Sequence, residues 1–249
     1  MPLDHDYWDG LADQVDALPR AWRRQARDEH LDLIEEWIGE PSGLWLKTDL
    51  FEERSPERAL LPHLGPAEWV GSDLSPGVAR AAVHTGTAAA VAADVRTLPF
   101  GDGTVDGILS TSTLDHFDDV GEIDRSLEEL RRILTTDGHL ILTLDNPGNP
   151  LIKMRNALPA ALAGRTGLVP FAVGATYGEA SGRAALERAG FDVVHTAHLL
   201  HVPHVVGTRL ARSSWYARTV LPRFAHLAHT RLARFSGHYT AFHATTGGR

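Results

Sequence analysis

The sequence predicts an α/β protein built on a doubly wound, mostly parallel sheet with helices at its N-terminus. Three observations lead there. Short apolar runs recur between Leu44 and Leu144, and segments of helical spacing separate them. Most of these runs stop at an aspartate. The 249 residues also show no internal repeat, low-complexity tract or dividing linker, and 43% hydrophobic content suffices for one large core. The expectation is a single domain over 1–249, with a helical cap at 1–40, a core at 41–200 and a C-terminal segment at 201–249.

Asp6 to Ile38 mixes charge with Trp8, Trp22 and Trp37, and Pro19 breaks it into two amphipathic helices. After Pro41-Ser42-Gly43, Leu44-Trp45-Leu46 reads as the first strand, leaving into Lys47-Thr48-Asp49-Leu50-Phe51. The second strand, Glu68 to Ser72, stops at Asp73, and Ser75-Pro76 opens a helix with serine as cap and proline in its first turn. Ala88 to Ala93 is a third strand ending at Asp94, Leu98 to Gly103 a loop, and Val105 to Ser110 a fourth strand. In Val120 to Leu134, Ile123, Leu127, Leu130 and Leu134 share a helix face, with acids early and Arg131 and Arg132 late, as the helix dipole favours. Asp137-Gly138 is expected to turn into a fifth strand, His139 to Leu144, which exits at Asp145-Asn146. A mixed insert (Leu151 to Thr176), a helix near Ala180 to Ala189 stopped by Gly190, and apolar segments near Phe191 and Tyr239 complete the order.

Composition narrows the chemistry. With no cysteine, disulfides, thiolate ligands, iron–sulfur clusters and a cysteine nucleophile are all excluded. A formal net charge of -8 argues against a general nucleic-acid binder, which needs a basic face. No apolar run reaches the roughly 18 residues of a membrane span and Met1 to Arg20 is polar, so the expected setting is cytoplasmic, without membrane contact. From His195 onward no Asp or Glu occurs, while seven arginines and eight histidines accumulate. That stretch reads as a solvated or acid-pairing surface, with an anionic substrate, acidic partner or membrane surface as alternatives.

In a doubly wound sheet ligands bind outside the carboxyl ends of the strands, so the informative residues are Thr48, Asp49, Asp73, Asp94, Ser110, Thr111, Asp145 and Asn146. A carboxylate ending the second strand is placed to accept hydrogen bonds from ribose hydroxyls. Here the run Val70-Gly71-Ser72-Asp73-Leu74-Ser75-Pro76 closely resembles the ribose-binding segment of class I S-adenosylmethionine-dependent methyltransferases. Ala93-Asp94-Val95-Arg96-Thr97-Leu98-Pro99-Phe100 resembles that family's adenine-contacting segment, and Val105 to Ser110 its fourth strand. The resemblance extends over roughly residues 42 to 195. It implies a Rossmann-like methyltransferase fold and S-adenosyl-L-methionine as cofactor. Asp73 then binds ribose, Leu74 covers one adenine face, Asp94 takes the adenine amine and Val95 donates its backbone amide, with Thr48, Asp49, Ser110 and Thr111 on the same rim.

One segment departs from the family. Its first loop carries a glycine-rich signature because glycine lets the backbone approach the ligand. This chain reads Lys47-Thr48-Asp49-Leu50-Phe51-Glu52-Glu53 there, without a glycine. Either Asp49 and Thr48 take the cofactor's ammonium in a rebuilt loop, or the pocket no longer holds the cofactor in the usual pose.

The expected function is methyl transfer to a small-molecule acceptor; the alternative is a methyltransferase-like protein with another ligand, another reaction or a partner subunit. A homo-oligomer is left open. A sulfonium methyl is already activated, so alignment and desolvation dominate, and a general base serves an oxygen or nitrogen acceptor. Asp115-His116 is the best-placed pair for that role, with packing as the alternative for His116. Tyr7, Trp8 and Trp22 form either a lid over the cofactor or helix packing. His195, His198, His201 and His204 invite a metal, but their three-residue spacing on a strand alternates faces and Pro203 prevents a helix, so no metal site is expected.

Overall fold

The computed structural model describes residues 20–55, 58–86, 89–156, 174–202 and 215–247. Seven strands form one sheet: β1 (Leu44–Lys47), β2 (Glu68–Asp73), β3 (Ala89–Ala92), β4 (Val105–Thr111), β5 (Leu134–Asp145), β6 (Asp192–Leu199) and β7 (Tyr239–Thr245). Their spatial order is β3-β2-β1-β4-β5-β7-β6. The first five run parallel, and β7 is antiparallel to both neighbours. The order reverses direction at β1, so the carboxyl ends of β1, β2 and β4 diverge there and leave a crevice.

The expected helices that fall in the described residues are present, and Pro150–Asn156 adds one at the start of the segment expected as a mixed insert. Arg20–Ile38 (α1) is the second of the two N-terminal helices; the first, with the lid residues Tyr7 and Trp8, lies outside the described residues. Pro76–His84 (α2) starts with Ser75 accepting the Val78 N–H at 3.0 Å and proline in its first turn. Val120–Ile133 (α3) is capped by Asp119, which accepts the Gly121 N–H at 2.7 Å. Pro150–Asn156 (α4) and Glu179–Arg188 (α5) follow.

Strand alternation sorts the core into two layers. Leu109, Ile141 and Ala241 pack with Leu33 and Ile34 of α1 on one face. Ile108, Leu140, Leu142 and Phe242 pack with Leu127 and Leu130 of α3 and Leu186 of α5 on the other. Gly43, at φ +75°, precedes β1 and packs against Asp106, whose Oδ2 accepts the Leu44 N–H at 2.8 Å and would lie 2.2 Å from a Cβ at Gly43.

Two expectations need correction. Asp137-Gly138 is not a turn but belongs to β5, whose pairing with β4 shifts register between Val105 and Gly107. The path stays extended because the Gly138 N–H is taken by Thr246 Oγ1 at 2.9 Å. The C-terminal histidines are also not simply a basic surface. Trp45, His139, His243, His195 and Trp37 stack in a row across one sheet face, with successive ring centroids 6.4, 5.3, 5.6 and 5.7 Å apart. His139 Nδ1 and His243 Nε2 share a hydrogen bond at 3.1 Å. Among the described residues no group of three or more His, Asp or Glu is arranged to hold a metal ion.

Burial pushes the His243 imidazole down to about 4, helped by the charges that His139 and His195 would carry. In the unfolded chain the same group protonates near 6.5. Its contribution to stability is therefore present above about pH 6.5 and is lost as pH falls through 4. Replacing His243 with phenylalanine removes this dependence. Denaturant unfolding should show the stability difference moving by about 2 kcal/mol in the variant's favour between pH 7 and 4.5. A pH-independent difference would refute the assignment.

Candidate functional site

The carboxyl ends of β1, β2, β3 and β4 open into a cavity of about 530 Å³. Arg23, Ala26, Arg27 and His30, at helical spacing, place one face of α1 over it. Of the residues proposed from the sequence, Thr48, Asp49, Asp73, Leu74, Asp94, Val95, Thr111 and His116 line the cavity. Ser110 and Asp115 do not; both are buried behind its wall.

Asp73 is held rigidly. Its Oδ2 accepts the Leu50 N–H at 3.0 Å and its Oδ1 the Ser75 N–H at 2.8 Å. A carboxylate has about four acceptor positions, so two amides leave it able to take further donors. Burial raises its pKa to about 7, and the neighbouring Asp49 charge adds to the rise. Asp49 Oδ1 in turn accepts the Phe51 N–H at 2.8 Å. Asp94 is already engaged: Arg96 Nε lies 2.9 and 3.1 Å from its two oxygens, and Arg96 also binds Glu122 at 2.7 Å. That guanidinium holds the Asp94 carboxyl below its usual range despite partial burial.

The glycine-free loop is closed from within. Lys47 and Glu53 are both buried, with Nζ 3.9 Å from Oε1. The lysine ammonium also donates to the Asp49 carbonyl, and Glu53 accepts the Leu60 and Leu61 N–H groups at 3.1 and 3.4 Å. Leu50 fills the space beside Gly71, where a Cβ would come within 2.3 Å of the leucine methyl. Polar and apolar anchors thus replace glycine flexibility.

Beyond β4, Thr48 Oγ1 donates to Ser110 Oγ at 3.0 Å and lies 3.0 Å from Thr113 Oγ1. Ser112 adopts φ 49°, an uncommon conformation for serine that is pinned by its N–H donating to the Thr143 carbonyl at 3.1 Å. His116 faces the cavity with Nε2 4.0 Å from Asp115 Oδ1. Asp115 Oδ2 accepts the Asp145 N–H at 3.0 Å, and Asp145 pairs with Arg155 and lies 3.6 Å from His238. Burial raises both carboxyls, Asp145 to about 7 with Asp115 as the next contribution.

Sequence reading missed Arg23, Arg27, His30, Arg58, Phe117 and Tyr239, all of which line the cavity. The spacing of 23, 27 and 30 signalled a shared helix face, yet nothing local said what that face covers. Trp22 is in α1, while the histidines His195 and His198 fall on opposite sheet faces: one stacks on Trp37, the other pairs with Glu179 at 3.2 Å.

This sheet order, with its antiparallel β7 and a cavity beyond Asp73 at the end of β2 and Asp94 just past β3, is that of the Rossmann-like methyltransferase fold. Residues 56–142 match a family model described as a methyltransferase domain. Solved structures agree on the fold. A chain of the complex between the Haloferax volcanii Trm112 methyltransferase activator and a methyltransferase is 16% identical, with a TM-score of 0.61, over 99% of this chain and 97% of that one. An S-adenosylmethionine-dependent methyltransferase from Thermotoga maritima is 15% identical, with a TM-score of 0.59, over 90% and 91%. The cyclase SpnF is 15% identical, with a TM-score of 0.56, over 89% and 81%. No curated protein matches the chain. Among the described residues no helix is long and apolar enough to cross a membrane.

Proposed function

We propose that the protein transfers the methyl group of S-adenosylmethionine to a small-molecule acceptor, acting in the cytoplasm as one domain spanning 1–249. The observation that carries this reading is the Asp73 carboxylate, oriented by two backbone amides at the cavity wall where a ribose would present its hydroxyls. The residues present fit the nucleoside portion of the cofactor: Asp73 for the sugar, Leu74 and Val95 beside the base. Bound there, the cofactor supplies an activated sulfonium methyl.

The chain's own residues supply position and dryness. The α1 face covers the strand ends, and with a ligand filling the space beneath it the polar contacts inside are strengthened. In this reading His116 takes a proton from a hydroxyl or amine acceptor, and the Asp115 carboxylate, 4.0 Å from its Nε2, favours the charged ring through its field rather than through a hydrogen bond. Thr48, Asp49 and Thr111 border the space between nucleoside and acceptor.

Calorimetry with S-adenosylhomocysteine tests the reading, with micromolar binding expected. No binding at millimolar concentration would sink it. A second reading is a methyltransferase-like protein that does not methylate, and the Arg96 guanidinium on Asp94 favours it by occupying the carboxylate meant for the adenine amine. SpnF, a cyclase, has this fold, and the Haloferax volcanii structure is a complex with an activator. Cofactor-dependent methylation of any small molecule by the purified protein eliminates that second reading.

A further inference from the structure

The β1 loop of a nucleotide-type site offers backbone N–H groups to anionic parts of a ligand. In this chain two of those amides are already spent. The Leu50 N–H donates to Asp73 and the Phe51 N–H to Asp49. An anion entering past Asp49 would therefore have to rely on side-chain cations, and the cavity lining places Arg23 of α1 and Arg58 at that end.

Between those two arginines lies Glu52. Its Oε1 accepts from Arg23 Nη1 at 3.3 Å, and its Oε2 is 3.9 Å from Arg58 Nη1. Oε2 has lost its water and has no hydrogen-bond donor among the described residues. A carboxylate in that condition is poorly satisfied, and it sits where two guanidiniums converge beside the ligand space. Asp49 and Asp73 add negative charge along the same wall.

We propose that Glu52 is an internal carboxylate that occupies the anion subsite of the cavity and competes with the carboxylate of a bound ligand's tail. The site then discriminates between adenosyl ligands by their tail: a carboxylate-bearing tail has to displace Glu52 from Arg23 and Arg58, whereas a carboxylate-free tail leaves the pair in place. This rests on the reading that a nucleoside binds against Asp73.

The test is calorimetry on the full chain with two probes, S-adenosylhomocysteine, which carries the tail carboxylate, and 5′-methylthioadenosine, which lacks it. In the wild type, methylthioadenosine is expected to bind at least as tightly. In Glu52→Gln, which keeps the side chain's size but removes its charge, S-adenosylhomocysteine should gain about tenfold relative to methylthioadenosine, whose own affinity stays within about threefold. Glu52→Ala should shift the ratio the same way, and melting temperatures check that both variants fold. A ratio that stays within about threefold, or that moves toward methylthioadenosine, overturns the competition. If both probes bind and Asp73→Ala weakens both while the ratio ignores Glu52, the nucleoside reading stands and this one falls. If neither probe binds the wild type or the Glu52 variants, both fall.

Discussion

Asp73→Ala is expected to weaken S-adenosylhomocysteine binding by about 100-fold or more, measured by calorimetry. Each hydroxyl donating to an ionised carboxylate contributes about 1.5–3 kcal/mol, and a ribose brings two. Because the Asp73 carboxyl is pushed up to about 7 by burial and by Asp49, it is partly protonated at neutral pH. The ionised form accepts both hydroxyls and the protonated form does not. Affinity should therefore rise from pH 6 to pH 8 in the wild type and stay flat in the variant. Asp73 also holds the Leu50 and Ser75 amides, so melting temperature must show that the variant is folded. Asp73→Asn, which keeps the shape, separates loss of charge from loss of the loop. A change under about threefold would mean that the sugar is not held there.

Glu53→Ala is expected to cost about 3–5 kcal/mol of folding stability, because it removes the buried carboxylate paired with the buried Lys47 ammonium. It also removes the acceptor of the Leu60 and Leu61 amides. For a chain of this size that corresponds to a fall in Tm of roughly 6–20 °C. The double variant Lys47→Met with Glu53→Gln should recover a large part of the loss, since it abolishes both buried charges. A loss below about 1 kcal/mol in the single variant would show that the ion pair is not what closes the glycine-free loop. This result bears on function, since the same loop carries Asp49 and Glu52 into the cavity.

Much of the sheet was legible because strand and helix periods differ and each crossover must span the sheet. Val105 to Ser110 and Val120 to Leu134 were read within a residue of β4 and α3, the first a short apolar run buried on both faces and the second an element whose buried positions repeat at helical spacing. Asp137-Gly138 was misread because the dipeptide is a turn signal wherever it stands. Only Thr246, more than 100 residues later, keeps it extended. The strand-end acids were also legible, since any strand of a doubly wound sheet delivers its last residues to the same rim.

What the sequence by itself determined is the order of elements and the positions that reach the rim, since both follow from local period and chain direction. What only the tertiary structure decided is the state of those groups: Asp73 raised by its own burial and by Asp49, Asp94 tied to Arg96, Glu52 set between Arg23 and Arg58. Charge, burial and pairing depend on which distant segments converge, and the approach of α1 to the β1 loop is not encoded in either segment alone.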